Sequence, residues 1–227
     1  MRSLICLGLA AALVVGRAGA QMPPSASEVA AYQGLHAAAQ HGDLAAIAHL
    51  AAAGARLDAG DSHGRTPLHV ATFARQRAAV QALLKAGART AALDHDRYDA
   101  VTIAAVADDE PTLAVLLAGG ASAKMITSRY DGTALIAAAH LGHDGVVRQL
   151  IQAGAPLDHV NNLHWTALIE SIVLGQGGPR HVTTLQALVQ AGANTQLADR
   201  SGRTPLQLAR DRGYQPMVEI LLKAGAR

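Results

Sequence analysis

Eleven histidines and one misplaced acid are the residues of this chain with chemistry to offer. Glu170 closes the run Thr166-Ala167-Leu168-Ile169-Glu170, and its counterparts elsewhere are all apolar: Ala37, Val70, Ile103, Ala137 and Leu208. A carboxylate in such a column is at least partly buried and needs a partner or a raised pKa. Chain position suggests His140, His164 and Arg180 as partners. One reading is a polar pocket of Glu170, His140 and His164 that takes a small molecule or a metal ion. The other is a local ion pair, or an edge position that reaches water. His140 and His143 are spaced i, i+3, as two ligands on one helix face would be. Gly142 interrupts the helix between them, however, and the ligand-dense spacing of zinc motifs is missing, so no metal or cofactor is expected. Gly175 to Arg180 (Gly-Gln-Gly-Gly-Pro-Arg) shares only its glycine content with a phosphate loop. It lacks the Lys-Ser/Thr ending, follows no strand, and is read as a flexible insertion. No nucleophile elbow or assembled Ser/His/Asp set is present, so catalysis is not expected.

The elements that position these residues are repeats. One unit opens Asp61-Ser62-His63-Gly64-Arg65-Thr66-Pro67-Leu68-His69-Val70-Ala71 and closes Val80-Gln81-Ala82-Leu83-Leu84-Lys85-Ala86-Gly87-Ala88; a near copy starts at Asp199. Asp61 and Gly64 suit a tight turn, Thr66 an N-cap, and Pro67 the first helical position, where its missing donor is harmless. Val80, Leu83 and Leu84 give a second helix its apolar stripe, and Gly87 ends it. These residues resemble the ankyrin repeat. The resemblance implies an all-α ankyrin-repeat solenoid of about six repeats with turn or hairpin tips: 28–60, 61–93, 94–127, 128–160, 161–198 and 199–227. It places the one-residue excess at the end of the third repeat and the Gly175–Arg180 insertion between the helices of the fifth.

The first twenty residues read differently. Arg2, the apolar run Leu4–Val15 and Ala18-Gly19-Ala20 before Gln21 have the order of a secretory signal peptide. The run is too short to span a membrane, which takes about 20 apolar residues. Residues 21–27 then form a linker. Cleavage after Ala20 takes Arg2 and Arg17 from the 19 basic residues and none of the 17 acidic ones, so the mature chain is formally neutral with His uncharged. That balance argues against nucleic acid or an anionic membrane surface as the partner. The only cysteine, Cys6, lies in the leader, which suits an oxidising compartment. A periplasmic or secreted monomer is expected.

The family resemblance also implies a binding scaffold that meets its partner through the tips and the inner face of the first helices. The residue before the Thr slot is Tyr32, Arg65, Tyr98, Gly132, Trp165 and Arg203 in turn, and five of these six are hot-spot types. Two positions earlier stand His63, Asp96, Tyr130 and Leu163, while Phe73 and His140 take the inner-face slot. The turn glycine, kept as Gly64 and Gly202, becomes Arg97, Asp131 and His164 in the middle repeats. The expected contact set is His63, Arg65, Phe73, Asp96, Tyr98, Tyr130, His140, Leu163 and Trp165. The competing reading is that the tip aromatics pack on one another and only stiffen the array. The chain thus reads as a non-catalytic protein-binding module of the envelope, an immunity or inhibitor protein for a toxin or enzyme being one form of that role. Two rival roles stand beside it: a purely structural protein of the envelope, and a ligand-binding protein built on a pocket around Glu170.

Overall fold

The computed structural model describes residues 21–227; the expected signal peptide lies outside the described residues. A short helix, α1 (Ala26–Ala31), precedes six helix-turn-helix pairs. They are α2 (Gly34–His41) with α3 (Leu44–Ala52), α4 (Pro67–Phe73) with α5 (Arg77–Ala86), and α6 (Ala100–Val106) with α7 (Glu110–Ala118). There follow α8 (Ala134–Leu141) with α9 (Asp144–Gln152), α10 (Ala167–Val173) with α11 (Pro179–Gln190), and α12 (Pro205–Asp211) with α13 (Gln215–Lys223). Among the described residues there is no strand, only an isolated bridge between Thr127 and Gly132. The architecture is the all-helical solenoid that the repeats imply.

Each first helix starts where its cap allows. Thr66, Thr133, Thr166 and Thr204 accept a hydrogen bond from the backbone N–H three residues on, and Asp99 does the same where the third repeat lacks the threonine. Gln33 supplies no side-chain cap, in keeping with a degenerate first repeat. Gly142 ends α8 in the left-handed region and separates His140 from His143. The first helices bury small residues, Ala38, Ala71, Ala104, Ala138, Ser171 and Ala209, so adjacent repeats approach closely. The second helices supply bulk through Ile47, Leu83, Leu116, Leu150, Leu188 and Leu221. The whole forms one continuous apolar core.

Polar bonds lock the stack. His69 accepts from the Thr66 N–H at Nδ1 and donates through Nε2 to the carbonyls of Ala92 and Tyr98, both 3.1 Å away in or beside the next tip. His36 makes the matching bond to the Arg65 carbonyl at 2.9 Å. Burial pushes the His69 pKa down, which keeps the ring neutral and able to play both roles.

Three features depart from the sequence-based expectation. The segment 21–27 is no free linker. Ser25 and Glu28 form a capping box on α1, and Arg65 donates to the Met22 carbonyl and to the Glu28 carboxylate, seating the segment on the second tip. The one-residue excess sits in the fourth tip. Thr127 N–H bonds to Gly132 O across five positions, where Asp94 and Asn161 bond to Tyr98 and Trp165 across four. The insertion is packed instead of loose. The Tyr214 hydroxyl donates to the Gly175 carbonyl at 3.0 Å, Arg212 donates to Val173 O, and the extra residues lengthen α11 to 12 residues. From that helix Arg180 reaches Asp144 in the fourth repeat and Asp108 in the third.

Packing of the insertion yields a paired test. Gly177 has φ +66°, and an added Cβ would lie 2.5 Å from the Tyr214 ring, whereas Gly178 has open space and φ −73°. Gly177→Ala is expected to destabilise by about 1–3 kcal/mol and Gly178→Ala to stay within about 0.5 kcal/mol of the parent. Urea titrations of the two variants make the comparison; equal effects would mean that the insertion is not seated on Tyr214.

Candidate partner-binding surface

The tips are built by one recurring device. An Asp or Asn at the tip start accepts, through a single side-chain oxygen, the backbone N–H groups two and four residues on. Asp61, Asp94, Asn161 and Asp199 all do so, at 2.8–3.0 Å. That bend forces the fourth tip residue to positive φ. Gly64 and Gly202 meet the demand without strain in the second and sixth repeats. The third and fifth repeats place Arg97 (φ 66°) and His164 (φ 64°) there, and the longer fourth tip carries two left-handed residues, Ser128 (φ 63°) and Asp131 (φ 52°), at about 1–2 kcal/mol each. Successive tips are tied by backbone bonds, His95 N–H to His63 O, Ser128 N–H to Arg97 O, and Asn162 N–H to Tyr130 O. Arg97 pairs with Asp131 at 3.0 Å and Arg129 with Asp96 at 3.2 Å, so the third and fourth tips neutralise one another's charge.

An apolar ladder runs beside the same three tips. Leu93, Ile126 and Val160 immediately precede Asp94, Thr127 and Asn161, and they are 38%, 46% and 43% exposed. The equivalent residues outside the middle repeats are Gly60 and Ala198. Leu163 adds a further exposed apolar side chain on the fifth tip.

The predicted contact residues divide. His63, His140, Leu163 and the strained His164 are exposed; Phe73, Asp96, Tyr130 and Trp165 are half-buried. Arg65 and Tyr98 require correction, for they are only 2% and 7% exposed. Arg65 is consumed by Glu28, Asp61 and the Met22 carbonyl. Tyr98 is buried near charges of its own tip and the next, Asp96, Asp94 and Arg129. Glu28, Asp61 and His63 converge as three metal ligands would. The Arg65 guanidinium lies among them and donates to both carboxylates, which supplies the positive charge internally. Burial opposes ionisation of Asp61, but bonds from Tyr32, His63 and Arg65 hold its pKa down at about 2.

Glu170 is 4% exposed, and only part of its expected environment is there. Neither His164 nor Arg180 reaches it; Arg180 is held by Asp108 and Asp144. Its Oε1 accepts from Asn161 Nδ2 at 3.0 Å, a partner that sequence reasoning missed. Asn161 was nonetheless legible as the only amide in a column of Asp61, Asp94 and Asp199. Its Oδ1 is engaged by the Leu163 and Trp165 N–H groups, so the NH2 faces the acid; an Asp there would set two carboxylates together. Glu170 Oε2 is buried without a hydrogen bond, and His140 Nδ1 lies 3.6 Å from it. Burial raises the Glu170 pKa to about 7, against the Asn161 bond, and lowers that of His140, with His181 and His143 adding to the effect. Both groups favour their neutral forms, so the contact is not a fixed ion pair. The ladder residues Leu93, Ile126 and Val160 were also missed; their signal was an apolar residue before the tip in the middle repeats alone.

Comparison with known proteins gives a consistent result. The family profile described as ankyrin repeats (3 copies) matches residues 16–94, and the single ankyrin repeat profile matches 130–162 and 201–227. The chain is 34% identical over 190 residues to YahD of Escherichia coli (strain K12), described as an ankyrin repeat protein, across 83% of this chain and 94% of that one. The crystal structure of an ankyrin repeat domain (ABAYE2397) from Acinetobacter baumannii AYE superposes with a TM-score of 0.81 at 44% identity, covering 85% of this chain and 98% of that one. A chain in the complex of the Bd0816 predatory endopeptidase from Bdellovibrio bacteriovorus with immunity protein Bd3460 aligns with a TM-score of 0.65 over 85% of this chain and 98% of that chain; at 24% identity it shows the fold alone.

The buried acid makes stability depend on pH. Glu170 ionises near 4.5 when unfolded and near 7 when folded, so the native state holds an extra proton between those values. The contribution of Glu170 to stability is therefore most favourable below pH 4.5, falls as the pH rises toward 7, and stays reduced above it. Glu170→Gln is expected to be the more stable protein at pH 8, by about 3 kcal/mol at most, and nearly equal to the parent at pH 4.5. Urea unfolding at the two pH values measures this, and a gap that does not change with pH would contradict the assignment.

Proposed function

The chain belongs to the ankyrin repeat family, and from that premise we propose that it is a non-catalytic protein-binding module of the cell envelope, exported by its leader and grasping one protein partner through the third to fifth tips and the adjoining groove. Ankyrin repeat domains are protein–protein interaction modules, which supports the general role. The observation that carries the finer reading is the coincidence of the apolar ladder and strained non-glycine turn residues on the third to fifth tips, joined on the fourth and fifth by the half-buried Tyr130 and Trp165. Apolar and aromatic groups held in fixed positions give up little conformational freedom on binding. The order of residues 1–20 supports export.

A second reading makes the partner an enzyme that this chain silences. It is favoured by the solved complex of an endopeptidase with an immunity protein, one chain of which shares this fold. One-to-one loss of the captured protein's activity would mark that case.

The test is crosslinking of cells that express the tagged chain with its own signal, followed by identification of captured proteins. Since Trp165 packs against the core, the cleaner control is Leu93→Glu/Ile126→Glu/Val160→Glu, three exposed positions, with circular dichroism checking that the variant stays helical. The native chain is expected to capture one envelope protein, and the variant to lose it, with affinity lowered by about 2 kcal/mol or more, roughly thirty-fold. Equal capture by both would place the surface elsewhere.

A further inference from the structure

The carboxyl of Glu170 has an unspent, buried hydrogen-bonding position. Oε1 is taken by Asn161, while Oε2 is buried and accepts no hydrogen bond. Burying an acceptor without a donor is unfavourable, and the same column holds apolar residues in every other repeat. The two departures of the fifth repeat, Asn for Asp at the tip start and Glu for an apolar residue in α10, are joined by one bond. They make a built feature of the fold. The exposed side chain beside Oε2 is His140. It lies 3.6 Å from that oxygen, and its side chain is 47% exposed. The flanking surface offers two exposed apolar residues, Leu141 after His140 and Leu174 one turn beyond Glu170, beside the polar His181, whose Nε2 lies 3.0 Å from the His140 carbonyl.

We propose that Glu170 is the seat for a lysine side chain of the protein partner, entered by displacement of His140. Once ionised, the buried Glu170 carboxylate calls for a cation. An aliphatic stem matches the ground offered by Leu141 and Leu174, since lysine lays its methylenes along apolar surface while its charged end seeks a polar partner. The single open oxygen decides between the two cationic side chains. A guanidinium is best matched by both oxygens of a carboxylate, and here Asn161 holds one of them, whereas a compact ammonium needs only one. The proposal rests on the protein-binding reading above and names the chemistry that the fourth and fifth repeats would recognise. Asn161 ties the seat to the tip of Trp165, so a partner lysine in the groove and an apolar contact on the tip are held at a fixed separation.

The test needs no partner. n-Butylammonium is titrated into the purified protein at pH 8, where Glu170 is ionised, with n-butylguanidinium and tetramethylammonium as comparators. NMR follows the Glu170 carboxyl carbon and the His140 ring. A saturable shift at both residues with n-butylammonium is expected, about ten-fold weaker binding of the guanidinium, and none of tetramethylammonium. Glu170→Gln, close in shape, is expected to lose the response, and His140→Ala, which removes the displaced ring, to bind more tightly. No saturable shift at Glu170, an unchanged response in Glu170→Gln, preference for the guanidinium, or weaker binding in His140→Ala would each overturn the proposal. Capture of a partner through the tips without amine binding would sink the seat alone. Amine binding without capture would support the seat and count against the wider reading.

Discussion

No helix pair in this chain can bury its own apolar face, so every structural decision is made at the boundary between one repeat and the next. The small residues of the first helices let neighbours approach, and the leucines of the second helices fill the space that remains. The polar bonds obey the same rule. His69 caps its own helix with one nitrogen and holds the next tip with the other, so a single neutral ring serves local and long-range order at once. Where the third repeat has Thr102 in that slot, its hydroxyl reaches Thr127 of the fourth tip. Stability in such an array is a property of interfaces and does not belong to any one unit.

Much of this was legible in the residues. Thr-Pro-Leu at 66–68 and 204–206, the alanine columns and the Gly-Ala endings report helix starts, close approach and helix ends, because each has a local physical cause. What could not be read were events set by distant chain. Arg65 looks like an exposed hot-spot residue in its column; only the arrival of Met22 and Glu28 buries it. Tyr98 shares a column with the half-exposed Trp165 and is nonetheless covered. The extra residue near Thr127 has no marker in a linear alignment, since moving it by a few positions leaves every signature in place.

Glu170 shows the limit most clearly. The sequence marks it as anomalous but cannot say which of several polar groups meets it. His164, only six residues away, is thrown outward by the strained turn. Asn161, nine residues away, is brought inward because its own oxygen is already occupied by the tip it organises. The choice between Asp and Asn at the tip start, neutral for the turn itself, decides whether an acid can be tolerated behind it.

The left-handed residues Arg97, Asp131 and His164 bear on how far this chain can be made sturdier. Glycine at these three positions would relax the backbone, and the outer tips already use it. A variant selected only for heat resistance would drift toward glycine there and flatten the three tips that carry the most distinctive side chains. Robustness and recognition therefore compete at the same backbone positions. The three residues mark where the chain has settled for less than its greatest stability.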